Sequence, residues 1–152
     1  MANHTLLDLD SFLPYRLSVL SNRISQTIAK AYGERFGLSI TQWRVMAVLG
    51  RYPDLSANAV AERTAMDKVA VSRAVNALLA EGRLERDTHG EDRRRSVLRL
   101  SEAGYAIYDE VAPLALSYER ALLSRLDPEQ RQVLSDLLDL LSDSQSMAAD
   151  VL

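Results

Sequence analysis

Residues 56–87 read SANAVAERTAMDKVAVSRAVNALLAEGRLERD, and their reading decides the fold. Ser56 suits the N-cap of a helix over ANAVAERT, and Asp67 that of a second helix over KVAVSRAVNALLAEG. Both side chains offer an oxygen to the unpaired amides of a first helical turn. Thr64, Ala65 and Met66 leave room only for a tight turn between the two helices. In the second helix Val71, Val75, Leu78 and Leu79 share one helical face, the pattern of a buried stripe. Gly82 ends it, as glycine does where a helix must leave in the left-handed conformation. The hydrophobic period then shortens. Residues 83–87 and 96–101 read as two strands around the loop THGEDRRR, a hairpin in which Leu98 and Leu100 face one side and Val97 and Arg99 the other. The order is helix, turn, helix, hairpin: a winged helix–turn–helix.

The flanking sequence is helical. Residues 13–36 carry an apolar stripe at Leu17, Leu20, Ile24, Ile28 and Ala31, which predicts one helix ended by Gly37. A further helix over 41–51 places Trp43, Met46, Ala47 and Leu49 and is stopped by Tyr52, Pro53 and Asp54. After the hairpin, Ser101 caps a helix over about 102–124, and Pro113 is expected to kink or break it. Asp127, Pro128 and Glu129 form a strong restart, followed by Val133, Leu134, Leu137, Leu138, Leu140 and Leu141. The fold class is mainly α with a small β-hairpin wing.

Charge narrows the function. The chain of 152 residues suits one domain and has a formal charge of -3. Residues 63–99 hold nine bases against six acids, whereas from residue 100 onward three bases face ten acids. A basic middle inside an acidic chain points to a local polyanion site, because binding follows the local field. There is no cysteine, which removes disulfides, thiolate metal sites and cysteine redox chemistry. His4 and His89 are the only imidazoles, too few for a histidine metal cluster. No nucleophile–histidine pair or phosphate-cradling glycine loop appears, so no catalytic residue, cofactor or enzymatic activity is expected. The apolar runs are too short to span a membrane, and the N-terminus lacks a basic lead and apolar signal core. A cytoplasmic protein with no membrane partner is the expectation.

With the Val71 stripe inward, Lys68, Ser72, Arg73 and Asn76 share the outer side of the second helix. These types suit a major groove: arginine bridges guanine acceptors, asparagine pairs with adenine, serine and lysine reach phosphates or base edges. A hairpin loop is narrow enough for a minor groove, whose concentrated negative potential favours arginine. Arg94 is the expected probe. Asp92, two residues earlier, would orient it by paired hydrogen bonds, while Arg93 or Arg95 would hold phosphate or pair with Glu91 or Asp87.

Residues 55–104 together resemble the DNA-binding core of the MarR family of bacterial transcriptional regulators. The family's wing signature, Asp-x-Arg, an alternating strand and Ser/Thr-x-x-Gly, stands as Asp92 to Arg94, Val97 to Leu100 and Ser101 to Gly104. The segment VSRAVNALLAEGRLER matches its recognition helix, and the likeness extends to the flanking helices. The resemblance implies an obligate homodimer gripping double-stranded DNA at a pseudo-palindromic operator. Residues 1–36 and 102–152 would form the helical dimerisation region and 37–101 the winged helix–turn–helix lobe. It further implies a repressor released by a small-molecule effector. The peroxide-sensing branch needs cysteine and the zinc-dependent branch a histidine–acid cluster, and this chain has neither.

The segment LPYRLSVLSNRIS resembles the first helix of members that sense aromatic acids or aromatic acyl-CoA thioesters. On that resemblance Arg16 is the expected carboxylate clamp, since guanidinium binds carboxylate bidentately. Tyr15, Arg23, Trp43, Arg44, Tyr105 and Tyr108 are further lining candidates. By residue type, Trp43 suits the core better, and Arg23 and Arg44 suit interhelical ion pairs better, than an effector site. A regulator or architectural protein without an effector is the alternative that these residues leave open.

Overall fold

The computed structural model describes residues 3–88 and 96–152. The chain divides into two compact units, Met1–Ala115 and Leu116–Leu152.

The first unit opens with α1 (Leu13–Ala29), with Pro14 in its first turn, and α2 (Gly33–Phe36). One continuous helix over 13–36 was the expectation; the chain instead turns at residues 30–32. The turn places Tyr32 in the core, 1% exposed, with its ring centroid 5.6 Å from that of Trp43. A straight helix would forfeit that burial, and Gly33, a poor helix former, makes the interruption inexpensive. Gly37 ends α2 in the left-handed conformation, as expected.

The next helix, α3 (Ile40–Arg51), starts at a capping box: the Ser39 hydroxyl accepts from the Gln42 amide while the Gln42 side chain accepts from the Ser39 amide. Helices α4 (Ala57–Thr64) and α5 (Lys68–Ala80) follow, capped by Ser56 and Asp67 as read from the sequence. Between them Ala65 takes a left-handed conformation, φ 51°, which closes the tight turn. Tyr52, after α3, receives the guanidinium of Arg63 at 3.8 Å and that of Arg51 at 4.7 Å from its ring centre, tying the end of α4 to the end of α3.

Strands β1 (Leu84–Asp87) and β2 (Val97–Leu100) pair antiparallel, Leu84 opposite Leu100 and Asp87 opposite Val97. Leu98 and Leu100 are buried and Val97 and Arg99 are not, the alternation expected of the hairpin. A third segment joins them: the Leu98 amide donates to the Leu55 carbonyl at 2.7 Å, and the Asp54 amide donates to the Leu98 carbonyl at 3.0 Å. The core gathers Val45, Met46 and Leu49 of α3, Val60 of α4, Val71, Val75 and Leu78 of α5 and the three strand leucines. Helix α6 (Glu102–Leu122) adds Ile107 and Val111. Each such side chain contributes about 1.5–3 kcal/mol by leaving water.

The Ser101 hydroxyl accepts from the Gly104 amide at 3.0 Å and donates to the Gly82 carbonyl at 2.6 Å, so one buried oxygen caps α6 and fastens it to the end of α5. Gly104 is required there: a Cβ would drive into the Arg83 carbonyl oxygen. Pro113 does not break α6, which runs unbroken through it. The ring removes only the one bond to the Asp109 carbonyl, at an exposed position, while Val111 stays anchored in the core.

In the second unit, α7 (Pro128–Ala149) opens on the expected signal. Asp127 accepts from the Gln130 amide and Gln130 reaches back to the Asp127 amide. Neither α1 nor α7 has a buried residue.

Candidate nucleic-acid interface

Helix α5 separates two faces cleanly. Val71, Ala74, Val75 and Leu78 point into the core at 5% exposure or less. Lys68, Ser72, Arg73 and Asn76 are all exposed, so the four predicted recognition residues do share the outer side of one helix. The Asp67 carboxylate accepts from the Ala70 amide at 3.1 Å and fixes the start of that helix just before Lys68. Arg73 also lines a groove with Ala70 and Ala74 on α5 and Ser39, Thr41 and Gln42 at the start of α3. The capped start of α3 and an exposed arginine thus border the same surface.

One residue on this face escaped the sequence reading. Val69 is 56% exposed, three and four positions before Ser72 and Arg73. Its signal was present: a valine lying off the buried stripe of an otherwise regular amphipathic helix has no core partner.

Asp92, Arg93, Arg94 and Arg95 lie outside the described residues. The hairpin that carries them is described at its base. There Arg99, the strand's outward arginine, holds two carboxylates: its Nε donates to Asp54 at 2.9 Å and its Nη2 to Asp87 at 3.3 Å. The carboxylates raise the Arg99 guanidinium above its ordinary value, the Asp54 hydrogen bond first.

The predicted effector residues fall into three places. Tyr15, Arg16 and Arg23 line one groove along α1, with Leu13, Leu17 and Leu20 as its apolar wall. Trp43, Tyr108 and Tyr105 form an aromatic row with Tyr32. Trp43 and Tyr108 stack at 6.0 Å between centroids, and Tyr105 meets Tyr108 edge-on at 6.5 Å. Trp43 is 9% exposed and belongs to the core; Tyr105 at 38% ends the row at the surface. Gly50 makes the row possible, since a Cβ there would lie 2.5 Å from the Tyr108 ring. Arg44 lines neither the groove nor the stack, though its charge reaches Tyr32. It donates to the Ser25 hydroxyl at 2.6 Å and to the Met66 sulfur at 3.8 Å, bridging α1 and the α4–α5 turn through neutral partners. Among the described residues neither Arg23 nor Arg44 forms an ion pair. Burial pushes the Tyr32 phenol up, and the Arg44 charge pulls it down in part.

Among the described residues no cluster of metal-ligating side chains occurs, and no helix is long and apolar enough to cross a membrane.

The chain is similar to known proteins in sequence and in fold. A family model described as "MarR family" matches residues 36–95. The HTH-type transcriptional regulator BilQ of Clostridium symbiosum (strain WAL-14163) is 26% identical over 112 residues, covering 74% of this chain and 78% of its own. The crystal structure of a MarR/EmrR family transcriptional regulator from Acinetobacter sp. ADP1 superposes with a TM-score of 0.84 at 28% identity, covering 93% of this chain and 99% of that one. The PcaV transcriptional regulator of Streptomyces coelicolor, in complex with its natural ligand, shares the fold with a TM-score of 0.77 at 22% identity, over 93% of this chain and 99% of its own. The sequence relative and the more similar structure are transcriptional regulators, not enzymes.

Proposed function

We propose that the chain is a transcriptional regulator of the MarR type, a dimeric repressor that binds a pseudo-palindromic operator and leaves it when a small aromatic acid or its acyl-CoA thioester binds. The observation that carries the DNA side is the exposed set Lys68, Ser72, Arg73 and Asn76 on the second helix of the helix–turn–helix. Arg73 and Asn76 read base edges there; Lys68 and Ser72 hold phosphate or base edges; Val69 meets thymine methyl groups. Arg94 enters the minor groove, oriented by Asp92, with Arg93 and Arg95 against the backbone.

The dimer is supported by the apolar faces that α1 and α7 each leave in solvent. Leu13, Leu17, Leu20, Val133, Leu134, Leu137, Leu138, Leu140 and Leu141 are all at least 40% exposed, more apolar surface than a monomer usually shows. A second copy related by a two-fold axis covers it. Residues 1–36 and 102–152 are then the dimerisation region, 37–101 the DNA lobe, and the two recognition helices meet half-sites about one helical turn apart. On the effector side, the groove along α1 sets the Arg16 guanidinium beside an apolar wall, the chemistry of an aromatic carboxylate. PcaV, a protein of the same fold, is known with a bound natural ligand, which supports a ligand-responsive reading.

The test is binding of the full chain to a palindromic promoter fragment at several salt concentrations. Replacing Arg73 or Asn76 by Ala costs about 1–3 kcal/mol and relaxes base preference, whereas Arg94→Ala weakens binding and lowers the salt dependence. An Arg94→Ala protein that binds as wild type at matched salt overturns the wing assignment. Titrating the complex with aromatic acids and thioesters tests the effector. Release by one, lost in Arg16→Ala, is the expected result; release by none moves the reading to an effector-independent regulator.

A further inference from the structure

We propose that Arg99 is a positioning residue of the DNA-binding lobe: it pins the hairpin to the α3–α4 linker through Asp54 and Asp87 and makes no phosphate contact of its own. The inference rests on the DNA-binding reading for its functional consequence, and on geometry alone for the clamp.

Among the described bases of the basic middle, Arg99 holds two carboxylates, whereas Arg83 pairs with one, Glu81, and with the Phe36 carbonyl. The two carboxylate partners of Arg99 lie 45 and 12 residues away in sequence, one in the linker and one at the end of β1. Glu85 stands opposite it in the strand register, on the same exposed face. One guanidinium therefore faces three acids. A phosphate approaching here would have to displace carboxylates that already occupy the fork, and would meet a locally negative surface. Lys68 and Arg73 contrast with it: among the described residues neither forms an ion pair.

The clamp has something to hold. Asp54 adopts φ 63°, a left-handed conformation that costs a non-glycine residue energy and that aspartate tolerates better than most. Its amide donates to the Leu98 carbonyl, one residue before Arg99, and the Leu98 amide donates back to Leu55. The side-chain bond between Asp54 and Arg99 runs alongside this short pairing and closes it. The second bond, to Asp87, reaches across the hairpin. Together they lock linker, β2 and β1 into one three-segment base, and so fix where the hairpin leaves the lobe.

The test uses the full chain and a duplex that wild type selects from a random-sequence pool, titrated between about 50 and 200 mM salt. Arg99→Gln should weaken binding about threefold, the scale of an exposed ion pair, with an unchanged slope of log affinity against log salt. Asp54→Asn, which keeps the left-handed backbone accessible, should also weaken binding. That sign is informative, because deleting an acid near DNA otherwise strengthens phosphate attraction. A slope reduced by about one in Arg99→Gln marks a phosphate contact and overturns the proposal. Tighter binding by Asp54→Asn, or unchanged binding by both variants, does so too. Hydrogen exchange without DNA tests the clamp separately: the Asp54 and Leu98 amides should exchange faster in both variants, and unchanged exchange overturns it. If wild type selects no duplex at all, the DNA reading fails, while exchange still decides whether the clamp exists.

Discussion

Helices α5 and α7 carry the same kind of leucine and valine stripe, yet they meet opposite fates. Val71, Val75 and Leu78 of α5 are at most 1% exposed. Leu134, Leu137, Leu138 and Leu141 of α7 are 40–51% exposed. An amphipathic helix needs a partner for its apolar face, and its sequence says nothing of whether that partner lies in the same chain. Helix α5 finds α3, α4 and β1 within the lobe. The stripe of α7 is exposed, and in the proposed dimer a second copy covers it. The lobe proposed to read DNA is finished by one chain, and the helices proposed to join two such lobes are left unfinished.

The largest effect should come from attacking the unfinished side. Leu134→Glu combined with Leu137→Glu changes residues already half in solvent, so a chain whose stripe stays bare would barely notice. A symmetric dimer would bury four charges. Counting about 1.5 kcal/mol for each leucine lost, it forfeits on the order of 6 kcal/mol and falls apart. Sedimentation should show monomer with an intact circular dichroism spectrum, and operator binding should collapse, since a single half-site remains. A variant that still sediments as a dimer breaks the comparison.

A smaller effect is expected on the finished side. Gly104→Ala sets a methyl group against the Arg83 carbonyl, a backbone atom that cannot swing away. Overpacking of this kind costs about 1–3 kcal/mol. The thermal midpoint should fall by roughly 3–10 °C at fixed protein concentration. An unchanged midpoint would show that α6 does not start as close to the end of α5 as the Ser101 bonds require.

The contrast also explains what was legible in the sequence. Ser56, Asp67 and Asp127 announced their helices because capping is local: donor and acceptor lie within three residues. The alternation of Leu98 and Leu100 likewise follows from strand geometry alone. The turn at residues 30–32 was hidden, since the apolar spacing runs on through Ala31 and the reward for burying Tyr32 comes from the core outside the helix, Trp43 included. Pairing of Leu55 with Leu98 and of Arg99 with Asp54 was hidden for the same reason: both depend on contacts across more than forty residues. Within the candidate site, the periodicity that buried Val71 also exposed Lys68, Ser72, Arg73 and Asn76, so that face could be read directly. The effector candidates could not, because residues chosen by type scatter between the α1 groove, the aromatic row and the Arg44 bridge.

The gentlest test asks whether the lobe's stability belongs to the lobe. Ala65 sits at φ 51° with its side chain in solvent, and a left-handed alanine costs about 1–2 kcal/mol. Glycine relieves that strain and returns about 0.4–1 kcal/mol through a freer unfolded chain. Ala65→Gly should therefore gain on the order of 0.5 kcal/mol and raise the thermal midpoint by about 1–2 °C. Placed in the Leu134→Glu, Leu137→Glu background, the same gain should persist, because distant and independent sites add. A gain that disappears in the monomer would mean that the helix–turn–helix draws stability from the pairing of chains, and that α5 and α7 differ less than their burial suggests.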